Sequence, residues 1–245
     1  MTALKSNQTR KFYSDLMQGK EKRRLWGTDS RFSPEAICAR PSVQKYFLPP
    51  VKRHIRSEHT VLDLGCGPGN FLPLVSPLCR ELVGADIVPD FVAAARGLVD
   101  RLDLANVTVR QSDAILPFDE GCFDRVLMVD TIHHLEDVRS TLEEVHRVLK
   151  PGGRLLVFEP NKLNWLLWVM CVLDRNERGL LSLGTFPAYR KAMEGLFRMR
   201  DEEWSGLLLG PSSRLATSVA DFLDGGLGGK LRFLLPKIFF TAEKI

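Results

Sequence analysis

Apolar runs and amphipathic stretches alternate along residues 60–160 of the chain. Short apolar or alternating runs predict strands, because a strand buried in a sheet carries nearly continuous apolar side chains. Longer stretches in which apolar residues recur every three or four positions predict helices. The predicted strands are Thr60–Leu64, Glu81–Asp86, Val107–Gln111, Phe123–Asp130, Arg154–Pro160 and a last run at Lys237–Ile245. The predicted helices are Pro89–Leu102 and Leu135–Leu149, the second ended by the Pro and Gly of "KPGG".

This alternation predicts an α/β fold. Strands separated by helices pair in parallel through right-handed crossovers, which gives a doubly wound, mostly parallel sheet. A basic helical arm or lid is predicted over residues 1–56, and the main domain over residues 57–245. Within the main domain, residues 161–235 are rich in Leu, Trp, Gly and Pro and are predicted to form a helical cap on the substrate side.

Composition is that of an ordinary globular protein. The 245 residues are 44% hydrophobic and 26% charged. No apolar run reaches the roughly 18 residues of a membrane span, and the polar start of the chain lacks a signal-peptide pattern, so a cytoplasmic location is expected. The five cysteines are odd in number and form no C-x-x-C pair, which argues against a disulfide framework or a zinc site.

Charge is distributed unevenly. Residues 1–56 contain 13 Lys and Arg against 4 Asp and Glu, whereas the rest of the chain contains 21 against 26. A basic arm can attract a phosphorylated or carboxylated substrate, an anionic membrane surface or RNA. The alternative is a pair of solvated helices whose aromatic residues dock on the core.

A glycine-rich turn, "VLDLGCGPGN", ends the first predicted strand. Such a turn at the carboxyl end of a parallel strand is a typical ligand site. The dinucleotide pattern G-x-G-x-x-G would place its third glycine at position 70, which is Asn70, and Asp63 adds a carboxylate that would repel a pyrophosphate. Both features disfavour a dinucleotide and favour a ligand with a cationic head.

Two further acids follow the next predicted strands. Asp86 ends the second strand, where a carboxylate can accept hydrogen bonds from both ribose hydroxyls. Asp113 comes just after the third strand and can accept from an adenine amino group. The predicted ligand therefore has adenosine, no phosphates and a cationic end, which are the features of S-adenosylmethionine.

The series of motifs resembles that of the class I S-adenosylmethionine-dependent methyltransferases of small molecules. The resemblance covers roughly residues 60–160. The motifs that carry it are "VLDLGCGPGN", "VGADIVPDFV", "QSDAILPFDEGCFD", "VDTIHHLED" and "EEVHRVLKPGGRLLVFEPN". It implies a Rossmann-like sheet of seven strands with one antiparallel strand, a place that "KIFFTAEKI" can take.

The resemblance also implies a cofactor site at the strand ends. The backbone of Gly65, Cys66 and Gly67 would approach the methionine portion, and Gly69 would permit the close turn. The other implied contacts are Asp63 beside the turn, Asp86 on the ribose, Ile87 on the adenine ring, Asp113 and Ala114 on the adenine edge, and Asp130 and Thr131 near the sulfonium.

Candidate acceptor-side residues follow the fourth and fifth strands. His133 and His134 can each serve as a base, since imidazole titrates near neutral pH, or can pack and orient the substrate. Glu159 and Asn161 can touch the substrate, or serve as a strand-end hydrogen-bonding group and a helix cap. Trp165, in "LNWLLWVMCVL", can roof an apolar acceptor pocket together with "GTFPAY", or belong to the core.

Two arm residues complete the candidates. Arg40 and Tyr13 can meet the carboxylate of the cofactor as the arm closes over the site, or lie at the surface. The predicted reaction is in-line methyl transfer from S-adenosylmethionine to a small or lipid-like acceptor, which leaves S-adenosylhomocysteine and needs no metal. The acceptor is expected to have an apolar body, with or without an acidic group that the arm meets.

Other functions remain open. DNA bases are not expected as acceptors, because "DTIHHL" lacks the N/D-P-P-Y/F motif of enzymes that methylate them. The alternatives are an RNA or protein methyltransferase that uses the basic arm, a cofactor-binding protein without catalysis, and a nicotinamide-dependent dehydrogenase.

Overall fold

The computed structural model describes residues 10–11, 13–15, 32–173, 179–209, 218, 221–222 and 226–245. Its centre is a seven-stranded sheet with the strand order β3-β2-β1-β4-β5-β7-β6. The strands are β1 (Thr60–Leu64), β2 (Glu81–Asp86), β3 (Val107–Gln111), β4 (Phe123–Val129), β5 (Leu149–Pro160), β6 (Phe197–Ser205) and β7 (Lys237–Lys244). β7 runs antiparallel to both of its neighbours, and the other pairs are parallel. The predicted doubly wound sheet with one antiparallel strand is confirmed.

Helices cover both faces of this sheet. They are α1 (Pro34–Cys38), α2 (Pro41–Tyr46), α3 (Leu48–His54), α4 (Leu72–Val75), α5 (Pro89–Arg101), α6 (Val138–Val148), α7 (Trp165–Leu173), α8 (Gly179–Ser182) and α9 (Phe186–Ala192). 3₁₀ helices lie at Ser76–Leu78 and Ile132–His134, each a single turn, and at Gly226–Leu234, which has 9 residues. Among the described helices, none has the length and apolar character needed to cross a bilayer.

Alternate residues of the central strands pack into two separate cores. On β1, Val61 belongs to one core with Val43 and Val51 of the N-terminal helices. Its neighbour Leu62 belongs to the other core, which also contains Leu142 of α6. Successive side chains of a strand point to opposite faces, so a strand with helices on both sides is apolar at every position. This explains why every residue of β1 is buried, Asp63 included.

The ends of two elements differ from the prediction in ways that shape the site. β4 ends at Val129 rather than Asp130, because Asp130 has a φ of +53°, which lies outside the extended region. α6 begins at Val138 because the Asp137 side chain accepts a hydrogen bond from the Ser140 amide at 3.0 Å and so caps the helix. A short loop between these points carries the paired histidines.

The sheet edge holds a strand that the apolar pattern does not reveal. β6, "FRMRDEEWS", contains five charged residues, and most of its side chains are exposed. Its register with β7 shifts between Arg200 and Glu203, at a left-handed residue, Asp201. Charge and a bulge are typical of an edge strand, which has a partner on one side only. The range 161–235, predicted as a helical cap, therefore also contributes to the sheet.

Candidate functional site

The glycine turn after β1 is held against the loop that follows β4. The amides of Gly65 and Cys66 both donate to the Ala85 carbonyl on β2, at 2.8 and 3.1 Å. Gly65 has a φ of +79°, and a Cβ built on it would lie 2.5 Å from Thr131 Oγ1. Glycine meets both conditions because it has no Cβ. The two strand-end loops are thus in direct contact.

Asp86, at the end of β2, holds the turn from its other side. Its Oδ2 accepts a hydrogen bond from the Gly67 amide at 2.8 Å, and its Oδ1 accepts one from the Val88 amide at 2.9 Å. Burial raises the pKa of Asp86, and these amide hydrogen bonds oppose that rise. Each carboxylate oxygen has a second lone pair, so the group can still accept hydrogen bonds from a ligand.

Asp63 lies beneath the glycine turn. Only 1% of the residue is exposed. Its Oδ2 has no hydrogen-bond partner among the residues that the structure describes. Burial, and then the charge of Asp86, raises the pKa of Asp63 to about 7. Two buried carboxylates next to each other repel one another, and a cation bound above the turn would relieve that repulsion.

A cavity of about 890 Å³ opens above the carboxyl ends of the strands. A volume of this size accommodates a drug-sized or larger ligand. Eleven of the predicted site residues line it: Tyr13, Gly65, Cys66, Gly67, Asp86, Ile87, Asp113, Ala114, Asp130, Thr131 and His134. The topology therefore brings most of the predicted residues together at one edge of the sheet.

Described parts of the N-terminal arm cover this cavity. Arg10 forms an ion pair with Asp113, with 2.8 Å between Nη2 and Oδ1. The Tyr13 ring contacts the Phe91 ring of α5, with the two centroids 5.6 Å apart. The Phe32 ring stacks on the Phe91 ring, also with 5.6 Å between the centroids. The hydrogen bond from the Ala114 amide, and then that from Arg10, lower the pKa of Asp113, so its carboxylate stays ionised. Sequence reasoning missed Arg10, Phe32 and Phe91 because no local motif marks them.

The paired histidines have different surroundings. His134 lines the cavity, and its Nε2 shares a hydrogen bond with the Tyr13 hydroxyl at 3.3 Å. His133 is buried, and its Nδ1 lies 2.5 Å from Glu159 Oε2. A carboxylate accepts hydrogen bonds, so Nδ1 carries the hydrogen. The two rings pack with centroids 3.9 Å apart. His133 therefore does not face the cavity, which corrects the expectation that either ring could serve as a base.

Glu159 is the centre of a buried hydrogen-bond network. Its Oε1 accepts from the amides of Thr131 and Ile132, at 2.8 and 2.7 Å. Its Oε2 accepts from His133 and from the Tyr189 hydroxyl, the latter at 3.2 Å. Burial and the Glu159 charge raise the pKa of Tyr189 far above its usual value, so this hydroxyl stays protonated. Glu159 thus holds the loop after β4, in the strand-end hydrogen-bonding role that was expected as the alternative to a substrate contact, and it does not line the described cavity.

Asn161 and Trp165 also lie away from the cavity. The Asn161 amide group donates to the carbonyls of Phe233 and Leu235, both at 2.7 Å, and its Oδ1 accepts from the Leu163 amide. This fully buried side chain ties the end of β5 to the turn before β7. Trp165 is 68% exposed and does not line the described cavity. Asn161 thus has the structural role that was expected as the alternative to a substrate contact, and the substrate contact of Trp165 stays a prediction.

Two more predicted cofactor contacts, Arg40 and Gly69, do not line the described cavity. Arg40 is buried, and its Nη1 donates to the Leu208 carbonyl at 3.5 Å, so it does not line the cavity. Gly69 has a φ of +93° and lies against Leu98 and Leu72 of the flanking helices. It permits the turn, as expected, but makes no part of the cavity wall. In the described part of the arm, Arg10, Tyr13 and Phe32 line the cavity instead.

A buried ion pair lies beneath the loop after β4. Lys237, the first residue of β7, contacts Asp130 through its ammonium group, and both side chains are mostly buried. Asp130 is one of three non-glycine residues with a positive φ in the described chain. The pair joins residues that are far apart in sequence, so no local motif could have indicated Lys237.

Comparison with known proteins bears on these features. Residues 62–157 match the family model described as a methyltransferase domain. This segment of the chain is therefore similar to the methyltransferase domain family, in agreement with the resemblance to class I S-adenosylmethionine-dependent methyltransferases. The matched segment contains the glycine turn, Asp86, Asp113 and the loop after β4, which are the parts that line the cavity.

Relatives share this part of the chain. An uncharacterised methyltransferase of Bacillus subtilis, YcgJ, is 37% identical over 105 residues, which are 42% of each chain. A demethylmenaquinone methyltransferase of Thermus thermophilus is 37% identical over 146 residues, covering 56% of this chain and 65% of that one. The matches thus span about two fifths to two thirds of the relatives' lengths.

A solved structure extends the likeness to the whole fold. Geranyl diphosphate C-methyltransferase from Streptomyces coelicolor, solved with Mg²⁺, geranyl diphosphate and S-adenosylhomocysteine, superimposes with a TM-score of 0.61. The superposition covers 91% of both chains at 15% identity. At this identity the likeness shows a shared fold.

The site fits a ligand with a cationic end. The buried Oδ2 of Asp63 needs a cationic or hydrogen-bonding partner, and Asp86 offers acceptors at a strand end. Space for a ligand exists above Gly67, because a Cβ built there would meet nothing within 4 Å. Within the described residues, no group of three or more His, Cys, Asp or Glu side chains could hold a metal ion.

Proposed function

We propose that this chain is a methyltransferase that transfers the methyl group of S-adenosylmethionine to a small, largely apolar acceptor. The observation that carries the proposal is the pair of buried carboxylates, Asp63 and Asp86, beneath and beside a glycine turn that faces a large cavity. Neighbouring buried acids favour a cationic ligand and disfavour a pyrophosphate. The nicotinamide-dependent alternative loses support for the same reason.

The residues that would hold the cofactor lie at or just after the ends of β1, β2 and β3. Asp86 would accept from the ribose hydroxyls, and Asp113 and Ala114 would meet the adenine edge, next to Ile87. The backbone from Gly65 to Gly67 would meet the methionine portion, with Asp63 acting from below through its charge. When bound, S-adenosylmethionine supplies an electrophilic methyl group on a positively charged sulfur.

The main catalytic task of the protein is then alignment and exclusion of water. An in-line displacement at a methyl group needs the nucleophile and the leaving sulfur on opposite sides, and correct positioning supplies a large part of the rate. Asp130 and Thr131 line the cavity beside the glycine turn, and Glu159 fixes the backbone of their loop. Tyr13 and Phe32 cover the cavity, so we assign the arm the role of a lid.

His134 is our candidate for proton removal. It lines the cavity, whereas His133 donates to Glu159 inside the protein. A base is needed only when the acceptor atom arrives protonated. The hydrogen bond with Tyr13 orients the His134 ring, so arm closure and base position are linked in this proposal.

The lining indicates an apolar acceptor. Tyr13, Phe32, Phe91, Leu135 and Leu209 contribute apolar surface, and Arg10 is the only Lys or Arg among the described lining residues. Arg10 already pairs with Asp113, so the lining gives little support to an acidic group on the acceptor. The names of the relatives include enzymes that act on demethylmenaquinone and geranyl diphosphate, both of which carry prenyl groups.

A methyl-incorporation assay tests the proposal. The purified chain is incubated with S-adenosylmethionine labelled in its methyl group and, in parallel, with a lipid extract, a water-soluble metabolite extract, total RNA and a protein extract. We expect label in the lipid or small-molecule fraction, and loss of that label in Asp86→Ala. Label confined to RNA or protein would refute the acceptor class, and binding of the cofactor without any transfer would support the non-catalytic alternative.

A further inference from the structure

The helix after β5 presents its apolar side to solvent. Along α7, the exposed residues Trp165, Trp168, Val169 and Val172 recur with a spacing of three, four and seven positions. Residues with this spacing lie on one face of a helix. All nine residues of this helix are apolar, so it has no polar face to turn toward water, and a globular protein normally buries such a helix.

A second exposed segment lies beside this helix. Asn164 Nδ2 donates to the Leu234 carbonyl at 2.6 Å, and Asn161 Nδ2 donates to the Phe233 carbonyl. These hydrogen bonds tie the start of α7 to the 3₁₀ helix Gly226–Leu234. We call the combined surface the apolar face; its members are Leu163, Trp165, Trp168, Val169, Val172, Leu231 and Phe233, each between 38% and 68% exposed. A monomeric protein rarely exposes so many large apolar side chains together.

The charged residues within the two segments that form the apolar face all have one sign. Residues 161–173 and 226–237 contain no Asp or Glu. They contain Lys162, Lys230, Arg232 and Lys237, of which Lys230 and Arg232 are exposed. The surface thus combines tryptophan, aliphatic side chains and flanking cations.

We infer that the apolar face docks on the surface of an anionic lipid bilayer. Tryptophan is enriched where a protein meets the boundary between lipid tails and headgroups. Cations next to an apolar helix face attract anionic headgroups, and the two effects together give interfacial binding. α7 has 9 residues, and a span needs about 20, so the helix would lie in the plane of the interface.

This inference goes beyond the proposed methyl transfer. α7 begins shortly after the carboxyl end of β5, at the edge of the sheet that holds the cavity. A protein docked there would have that edge close to the bilayer, where apolar molecules are dissolved. Docking itself does not depend on the cofactor or on any methyl acceptor, so it is measured without either.

Vesicle flotation with the full chain tests the inference. The probes are vesicles of phosphatidylcholine alone and of phosphatidylcholine mixed with phosphatidylglycerol. We expect the unmodified chain to float with the mixed vesicles, and the variant W165S/W168S to bind them at least about tenfold more weakly, because two large apolar groups are lost. Leu102→Ser is the matched control, since Leu102 is 41% exposed but lies outside the apolar face. It should bind as the unmodified chain does.

A charge variant and a depth measurement complete the test. K230Q/R232Q should weaken binding to the mixed vesicles about tenfold, while K52Q/K191Q, which changes exposed lysines elsewhere, should change it little. Brominated phosphatidylcholine should quench the tryptophan emission of the unmodified chain more than that of W165S/W168S. Flotation that is absent, or equal in W165S/W168S and Leu102→Ser, would overturn the inference. Concentration-dependent self-association that W165S/W168S abolishes, without vesicle binding, would assign the face to a second copy instead.

Discussion

The two halves of the cavity are built in different ways. In the half formed by β1, β2 and β3, backbone amides and acids from short stretches of sequence meet at the strand ends, as in the contact between Gly67 and Asp86. In the half formed by the loop after β4, the contacts join distant positions. Glu159 reaches back 28 residues to the Thr131 amide, and Lys237 contacts Asp130 across 107 residues.

The difference suggests a division of tasks. The first half is a compact backbone cradle above a buried acid, Asp63, whose Oδ2 has no hydrogen-bond partner among the described residues, and we associate this half with the cofactor. The second half is a loop whose shape depends on buried side chains from β5, β7 and α9, and we associate it with the acceptor. Substitutions in the second half should therefore cost stability, whereas substitutions in the first half should cost mainly ligand affinity.

The largest effect is expected at Glu159. In Glu159→Ala, two amides, His133 and the Tyr189 hydroxyl lose their buried acceptor, so the free energy of unfolding should fall by about 3–5 kcal/mol. Urea denaturation followed by circular dichroism measures this loss. Glu159→Gln keeps one carbonyl acceptor for the two amides, so its free energy of unfolding should fall by less.

Glu203 provides the control for that experiment. Its carboxylate pairs with Arg53 at 2.5 Å on the surface, with nearly half of each side chain exposed. An exposed pair contributes about 0–1 kcal/mol, so Glu203→Ala should be nearly neutral. Equal losses in Glu159→Ala and Glu203→Ala would mean that Glu159 does not hold the loop.

The next effect is the pH dependence of stability that Asp63 causes. The pKa of this carboxyl rises from an ordinary 3.8 to about 7 in the folded chain. Between these values the folded chain holds a proton that the unfolded chain has lost, so the stability contributed by Asp63 falls as pH rises from about 4 to 7. The full penalty is about 4 kcal/mol above pH 7.

Asp63→Asn removes this titration. The variant should be more stable than the unmodified chain above pH 7, and the difference should shrink to near zero toward pH 4, as measured by denaturation across that range. Asp119→Asn, at an exposed loop position, controls for the general effect of removing a charge. A pH-independent difference would show that Asp63 is not electrostatically unsatisfied. The same variant should bind S-adenosylmethionine more weakly, because the attraction to a cation is lost.

The third effect tests the contact between the two halves. In Gly65→Ala the new methyl group would lie 2.5–2.6 Å from Thr131, whose Oγ1 is held by the carbonyls of Leu64 and Val129. Left-handed backbone strain and this clash together should cost about 2–4 kcal/mol. Gly121→Ala shares the positive φ but meets nothing within 4 Å, so it should cost only about 1 kcal/mol. The double variant G65A/T131A should recover part of the loss; no recovery would argue against the steric contact.

The smallest effect is expected at Asp86. Asp86→Ala should weaken cofactor binding by about 1–3 kcal/mol, as expected for lost charge-assisted hydrogen bonds. Because Asp86 also holds the Gly67 amide, Asp86→Asn serves as a milder companion that keeps one carbonyl acceptor. Isothermal titration calorimetry with S-adenosylhomocysteine measures both. Unchanged affinity in the alanine variant would contradict the ribose assignment.

The sequence predicts the first half of the cavity better than it predicts the second half. The central strands and the glycine turn were predictable, because apolar runs and local spacing determine them directly. β6 was not, since an exposed edge strand carries charges in place of an apolar pattern. The roles of Glu159, Tyr189 and Lys237 depend on contacts between distant strands and helices, which no local pattern encodes.

The helical cap predicted over residues 161–235 also shows what a local pattern does not encode. "GTFPAY" contributes Phe186 and Tyr189 to the core under the sheet, and α7 turns its tryptophans outward, so neither roofs the described cavity. Apolar composition alone does not distinguish a core segment, a pocket wall and a docking face. The placement of each in the fold makes that distinction.

The central claim is that acids at the strand ends select an adenosyl ligand with a cationic end over a pyrophosphate coenzyme. Calorimetric titration of the purified chain with S-adenosylmethionine, S-adenosylhomocysteine and NAD tests it most directly. We expect the chain to bind both adenosyl ligands and not NAD, and Asp63→Asn to bind S-adenosylmethionine more weakly than the unmodified chain does. Binding of NAD without binding of either adenosyl ligand would contradict it.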